Sequence, residues 1–361
     1  MATATAARSI TLDRHALREA LTIAGRVVSS RAAKPILRNV RLGDGLLTAT
    51  DLEVRIDIEL DYEGEPLLLP HDRLAAIVAA AQGDTVTLKP GDTSCVVTAG
   101  RGRWTLPTED ANEFPTWEVD AATLVRLPCD QFARAVGATV FAADTESSRY
   151  ALGAVMLHIK SGNPSLIATD GRRLSVYQCE TDQAVDDAEK LVPARVMAML
   201  AALAKSDEGS VQFSSTSSEV VAEIGNVTIT ARLLEGRYPR WSDVFPSRDI
   251  AKTEVNAGEL LAAVRQAAIV VSEQSRGVAF TFGDGITLVG KSSEYGESKV
   301  KCATVADGVA CTTRMDPHFV ADWLKTVDTA EVVSIDVADS TSAIVFSCED
   351  SRYVVMPMVE D

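Results

Sequence analysis

Aromatic residues make up only 5% of this 361-residue chain, so its cores must be built from aliphatic side chains. Histidine is rarer still. Its four copies, His15, His71, His158 and His318, are isolated, and none opens an H-E-x-x-H run. The six cysteines, Cys95, Cys129, Cys179, Cys302, Cys311 and Cys348, include no C-x-x-C pair, which excludes a zinc ribbon and a thioredoxin-type redox site. A chain this long has core enough without disulfide staples, so buried free thiols are expected. No apolar run approaches the ~18 residues of a membrane-spanning helix. Met1 to Ile10 has no apolar core segment, reads as a short lead-in rather than a secretory signal, and makes a cytoplasmic location the expectation. Missing too are G-x-x-x-x-G-K-[ST], G-x-G-x-x-G and G-x-S-x-G, and with them a phosphate loop, a dinucleotide fold and a nucleophile elbow. Acid pairs such as Glu109–Asp110 and Asp243–Asp249 fall among loop residues, where acids merely keep a surface soluble. No enzyme, no cofactor and no metal site is expected.

What the chain does have is length for two or three domains and an acidic balance, 51 Asp and Glu against 35 Lys and Arg, for a formal net charge of −16. It also has an internal repeat of domain size. Strands are predicted at Ser9–Leu12, Thr123–Leu127 and Lys252–Val255. Each leads into a helix, at Asp13–Val28, Asp130–Phe141 and Ala257–Val270. Leu17, Leu21, Ala24 and Val28 recur every three or four residues, as do Phe132, Val136 and Val140, and Leu260, Val264 and Ala268. Asp13 and Asp130 stand where an N-cap belongs. Three alternating strands follow each helix. Gly43-Asp44-Gly45 and Gly283-Asp284-Gly285 mark equivalent hairpin turns. A second helix comes next, at His71–Gln82, Pro193–Lys205 and Pro317–Thr326, and strands return, the last at Tyr353–Met358. The reading is an α+β chain of three repeated domains, each two β-α-β-β-β units. The boundaries fall at 1–120, 121–248 and 249–361, where Pro, Trp, Asp and Ser cluster.

Ile167-Ala168-Thr169-Asp170-Gly171-Arg172-Arg173-Leu174-Ser175-Val176 resembles the ATDGHRLA segment of bacterial DNA polymerase III beta subunits, the sliding clamps. Tyr353-Val354-Val355-Met356-Pro357-Met358 resembles their YVVMPM terminus. Gly236-Arg237-Tyr238-Pro239 with Val244-Phe245-Pro246, Lys34-Pro35-Ile36-Leu37, and Thr50-Asp51-Leu52-Glu53 are similar to further signatures. The motifs run in order over nearly the whole chain. The resemblance implies the DNA clamp fold and a head-to-tail homodimer closing into a ring around duplex DNA. It further implies a non-catalytic processivity factor that tethers the replicative polymerase. Twelve helices ~10 Å across, set side by side, would enclose a hole of roughly 28 Å, wide enough for a B-form duplex. A specialised homologue, phage-encoded or an inhibitor-tolerant second copy, is the alternative.

Helix faces turned to the hole should be basic, because they look at phosphate. Alone, such rows are ordinary solvated faces. With the resemblance, Arg14, Arg18, Arg26, Arg31, Arg73, Arg134, Arg149, Tyr150, Arg195 and Lys205 are candidates to face DNA, with Arg265 and Lys325 as sparser members. The resemblance also implies a hydrophobic cleft between the central and C-terminal domains. It would take short apolar peptides from the polymerase and the clamp loader. By position its residues are Leu152, Thr169, Gly171, Arg172, Arg173, Leu174, Pro239, Val244, Val354, Met356, Pro357 and Met358. The subunit contact falls on Trp104, Leu106, Ile269 and Val270. Three departures stand out. Arg172 replaces a histidine, Asp243 replaces a basic residue, and the chain ends Val359-Glu360-Asp361. They imply an acidic rim that favours peptides with a basic flank.

Overall fold

The computed structural model of the chain describes residues 9–29, 34–144, 151–272 and 276–358. A short strand leads into a helix, and three strands follow, six times over. The first run is β1 (Ile10–Asp13), α1 (Arg14–Ala24), β2 (Asn39–Gly43), β3 (Leu46–Thr50) and β4 (Val54–Glu59). The second is β5 (Leu67–Pro70), α2 (His71–Ala80), β6 (Thr85–Pro90), β7 (Ser94–Ala99) and β8 (Gly102–Pro107). The third is β9 (Ala122–Pro128), α3 (Cys129–Thr139), β10 (Ala154–Lys160), β11 (Asn163–Thr169) and β12 (Arg173–Gln178). The fourth is β13 (Ala188–Pro193), α4 (Ala194–Ala204), β14 (Ser210–Ser215), β15 (Glu219–Ile224) and β16 (Val227–Arg232). The fifth is β17 (Thr253–Asn256), α5 (Ala257–Ala268), β18 (Val278–Gly283), β19 (Gly285–Ser292) and β20 (Gly296–Cys302). The last is β21 (Thr312–Met315), α6 (Pro317–Leu324), β22 (Val332–Asp336), β23 (Ile344–Cys348) and β24 (Ser351–Val355).

The chain groups into two compact units, Met1–Leu124 with Gly209–Arg232, and Val125–Glu208 with Leu233–Asp361. The first contains a four-stranded sheet in the order β1-β6-β7-β8 and the eight-stranded sheet β5-β2-β3-β4-β16-β15-β14-β9. The second contains the eight-stranded sheet β13-β10-β11-β12-β24-β23-β22-β17 and the four-stranded sheet β20-β19-β18-β21. An opening strand never pairs within its own run. β1 pairs with β6, β5 with β2, β13 with β10, β17 with β22 and β21 with β18. The two runs of a domain are therefore interlocked by strand pairing. Closing strands meet across domains, β4 with β16 and β12 with β24, both antiparallel.

The alternation that marks the strands is the alternation of burial. Val54, Ile56 and Ile58 of β4 are buried while Arg55 and Asp57 are not. On α1 the buried stripe is Leu17, Ala20, Leu21, Ile23 and Ala24, and the Asp13 carboxylate caps the helix by accepting from the Ala16 amide at 2.8 Å. Asn256 caps α5 and Asp316 caps α6 in the same way.

Asp130 does not cap α3. The preceding strand runs through Pro128, which offers no side-chain acceptor, and Asp130 sits in the first turn, 3.2 Å from Arg134. Several helices end before the predicted residue because their last turns tighten to i→i+3 hydrogen bonds. Arg26 bonds to Ile23, Ala143 to Val140, and Ile269 to Gln266. The final strand stops at Val355 rather than Met358. β5, β13 and β21 were not predicted, and they supply the opening strand that the second run of each domain lacked.

In the second unit, Trp323, Tyr353 and Phe346 form the aromatic centre of the C-terminal core. Trp323 stacks on Tyr353 at 5.9 Å and donates to the Ser351 hydroxyl. All six cysteines are unpaired, and five are buried. No helix among the described residues is long and apolar enough to cross a membrane.

Candidate functional site

Thr169 and Asp170 build a tight turn between β11 and β12. The Thr169 hydroxyl donates to the Arg173 carbonyl at 2.6 Å and accepts from the Gly171 amide at 3.0 Å. The Asp170 carboxylate accepts from the amides of Arg172 and Arg173 at 2.9 and 3.0 Å. Gly171 takes φ +87°, a conformation costly for any other residue. The turn delivers Leu174 onto β12, directly opposite Val354 of β24.

Around that pair lies a hollow of about 470 Å³. Its walls are Thr169, Gly171, Arg172, Arg173, Leu174, Pro239, Trp241, Asp243, Val244, Ala343, Val354 and Met356. It rests on an apolar cluster of Met156, Ile167, Leu174, Val176, Val345 and Val354. Nine of the twelve expected cleft residues line it. Leu152 is instead buried in a short 3-10 turn before β10. Pro357 is not in its wall, and Met358 lines a separate hollow with Ala279, Val289 and Thr313. The backbone is the cause: the Met356 amide bonds to the Arg172 carbonyl, whereas the Met358 amide bonds to the Arg314 carbonyl on β21. Trp241 and Ala343 were not anticipated. Trp241 follows Pro239 by two residues and packs edge-on against Phe245, with ring centres 6.4 Å apart.

Arg173 shows the cleft only part of itself. Its guanidinium donates to Asp170 at 2.9 Å, to Asp322 of α6 at 2.9 Å and to the Phe141 carbonyl at 2.7 Å. It also lies 4.4 Å over the Phe319 ring. Burial alone would push the Asp322 carboxyl up. The hydrogen bonds from Lys325 and Arg173 outweigh it and hold the carboxyl below the usual carboxylate range.

The helices carry the opposite charge from the rest of the chain. They and the turns directly after them hold nine basic residues: Arg14, Arg18, Arg26, Arg73, Arg134, Arg195, Lys205, Arg265 and Lys325. Against these stand five acids, Glu19, Asp72, Asp130, Glu259 and Asp322, in a chain of net charge −16. Arg18, Arg26, Arg73 and Lys205 are exposed and pair with no acid among the described residues. Arg14 is half-buried and donates to the Gly83 carbonyl at 2.5 Å. Arg134 faces Asp130, and Lys325 faces Asp322. Arg31, Arg149 and Tyr150 lie outside the described residues, as do Glu360 and Asp361.

Among the described residues β8 and β20 are the two closing strands with a neighbour on one side only. Trp104 and Leu106 sit on β8. The Trp104 ring lies against Gly102, where a Cβ would be 2.0 Å from it. Ile269 follows α5, the helix packed on β19 and β20, and is 77% exposed; Val270 beside it is half-buried. No group of three His, Cys, Asp or Glu among the described residues could hold a metal ion.

Three family models cover the chain in sequence: the N-terminal domain of the DNA polymerase III beta subunit over residues 8–118, its central domain over 126–240 and its C-terminal domain over 242–359. The beta sliding clamp of Pseudomonas aeruginosa is 29% identical, over 96% of this chain and 99% of its own. That of Caulobacter vibrioides is 29% identical over 97% and 99%. A crystal structure of the Pseudomonas aeruginosa DNA polymerase sliding clamp is similar with a TM-score of 0.91 at 27% identity, covering 98% of this chain and 100% of that one. The Bacillus subtilis sliding clamp matches with a TM-score of 0.92 at 20% identity, covering 99% and 100%, a likeness of fold.

Proposed function

The chain belongs to the DNA polymerase III beta-subunit family, and from that premise we propose that it works as a DNA sliding clamp, a non-catalytic processivity factor in DNA replication. Two copies close head-to-tail into a ring around duplex DNA and tether the replicative polymerase in the cytoplasm. Three domains, 1–120, 121–248 and 249–361, make up each half.

The observation that carries the ring is the pattern of closing strands. The first run of one domain ends on a strand that pairs with the closing strand of the second run in the next domain, as β4 does with β16 and β12 with β24. Continued once more, the rule pairs β20 with the β8 of a second copy, and an edge that would otherwise template aggregation is covered. Trp104, Leu106, Ile269 and Val270 belong to that contact. A ring needs only weak phosphate contacts, because topology holds the DNA. Arg14, Arg18, Arg26, Arg31, Arg73, Arg134, Arg149, Tyr150, Arg195 and Lys205 supply them. The hollow beside Leu174 and Val354 receives a peptide bearing a glutamine and large apolar residues from the polymerase or the clamp loader. Its Leu, Val and Met wall adapts to varied partners.

Retention on DNA is the test. Loaded on a nicked circle, the ring stays on in high salt and falls off when the circle is cut. Ordinary phosphate binding would weaken steeply with salt on both forms. Equal retention on circular and linear DNA would overturn the proposal.

A further inference from the structure

The apolar cleft does not end at Trp241. With Pro239, the indole also lines a second hollow of about 580 Å³. Its character differs. Leu191 and Met156 lie among its apolar lining, but Lys160, Arg237 and Arg240 stand around it, all exposed. None of these three is paired with an acid among the described residues. Glu189 is the one carboxylate in the wall among the described residues. His158 packs edge-on against Trp241 at 5.3 Å, with its Nε2 3.7 Å from Glu189. Burial lowers the pKa of His158, so the ring is neutral near pH 7 and the three cations set the sign.

We infer that this second hollow receives the flank of the peptide held in the apolar cleft and selects acidic residues there. The inference rests on the cleft reading above, since the flank arrives only if the apolar core is seated beside Leu174. Continuity through Trp241 supplies the path, and three unpaired cations against one carboxylate supply the preference. It runs opposite to the basic-flank preference expected from Asp243 and the chain end. Asp243 lies in the wall of the first hollow, where Arg172 also stands. The basic side chains beyond Trp241 outnumber it.

Five fluorescent peptides sharing one core, a glutamine followed by large apolar residues, provide the test by anisotropy titration. One has neutral flanks. Two carry a pair of aspartates on one flank or the other, and two carry lysines in those places. Aspartates on one of the two flanks should tighten binding about three- to tenfold at low salt, the range for two exposed ion pairs, and lysines there should weaken it. High salt should erase the difference. The charge reversal Arg237→Glu with Arg240→Glu, both at exposed positions, should invert the order. Core binding that is indifferent to flank charge, or a lysine preference in the unaltered chain, would overturn the inference and leave the cleft standing. A core peptide that does not bind at all would overturn both.

Discussion

The β4–β16 and β12–β24 junctions share one backbone and differ in what their side chains do with it. Each begins on a Thr-Asp turn. Thr50 and Asp51 hold the amides of Leu52, Glu53 and Val54 just as Thr169 and Asp170 hold those of Gly171, Arg172 and Arg173. Leu52 even takes φ +80° where Gly171 takes +87°. One residue along the strand, Arg55 faces Thr230 in the first junction, and Leu174 faces Val354 in the second. Glu219 stands where the other has Ala343, by the registers of β15 on β16 and β23 on β24. Phe114-Pro115-Thr116-Trp117 corresponds to Tyr238-Pro239-Arg240-Trp241. In the first junction Trp117 lies 5.0 Å over Arg55 and donates to Glu219 at 2.9 Å, while Arg55 donates to Asp57 and to the Trp117 carbonyl. In the second, apolar side chains leave a hollow. The hollow of the second junction is thus set by a few side chains, on strands that pair in the same way in both junctions.

Exchanging residues between the junctions tests that statement. The largest effect belongs to Arg173, whose counterpart in the first junction is the buried Val54. Arg173→Val removes the guanidinium that Asp170 and Asp322 share, leaving Asp322 only Lys325, and should cost about 3 kcal/mol in urea unfolding. A loss below about 1 kcal/mol would mean that the turn alone holds the second junction. Next is Met356, 45% exposed, whose counterpart is Arg232; the two amides make matching bonds, to Arg172 and to Glu53. Met356→Arg should weaken peptide binding about tenfold, with stability within about 0.5 kcal/mol of the parent chain. Unchanged affinity would remove Met356 from the cleft.

Smaller is Thr230, whose buried hydroxyl has no hydrogen-bond partner among the described residues. Importing the valine of the other junction, Thr230→Val, should stabilise the chain by about 1 kcal/mol. Destabilisation of that size would show that the hydroxyl is satisfied. The smallest effect is a pH dependence. The Asp322 carboxyl titrates lower in the folded chain than in the unfolded one. Its link to Arg173 is therefore present in full above the unfolded value of about 3.9 and is lost as pH falls through the folded one. The stability gap between the parent chain and Asp322→Asn should hold from pH 7 to about 5 and shrink below about 4. A gap that persists unchanged at pH 3 contradicts this sign.

The repeat and the Gly-Asp-Gly turns at 43–45 and 283–285 were legible because helical spacing and turn chemistry are local. β5, β13 and β21 were not: β5 is an unbroken Leu67-Leu68-Leu69 run with no alternation to mark a strand. β13 alternates poorly, as an edge strand does. The last strand, with Val354, could be read in sequence, and Leu174 was marked by the resemblance of the 167–176 segment. Trp241 and Ala343 could not, since they join the cleft only once β12 and β24 pair. The repeated aromatic-Pro-x-Trp at 114–117 and 238–241 was the available signal for Trp241. Met358 was grouped with Met356 by the resemblance of 353–358 to the YVVMPM terminus, and the ladder ends at Val355. Arg173 carries the same charge as Arg172 beside it, yet one is bound on three sides and the other is exposed. Only tertiary contacts separate them.

Both junctions described above lie within one chain, and the account requires a third of the same kind between two chains, made by β8 and β20. Strand-resolved hydrogen exchange over residues 102–107 and 296–302, followed across protein concentration, tests it most directly. Protection should extend along every amide of both strands at micromolar protein, matching that expected of the paired β4 and β16, and should fall at alternate amides on dilution. Alternate amides of β8 and β20 exchanging freely at every concentration would contradict the ring.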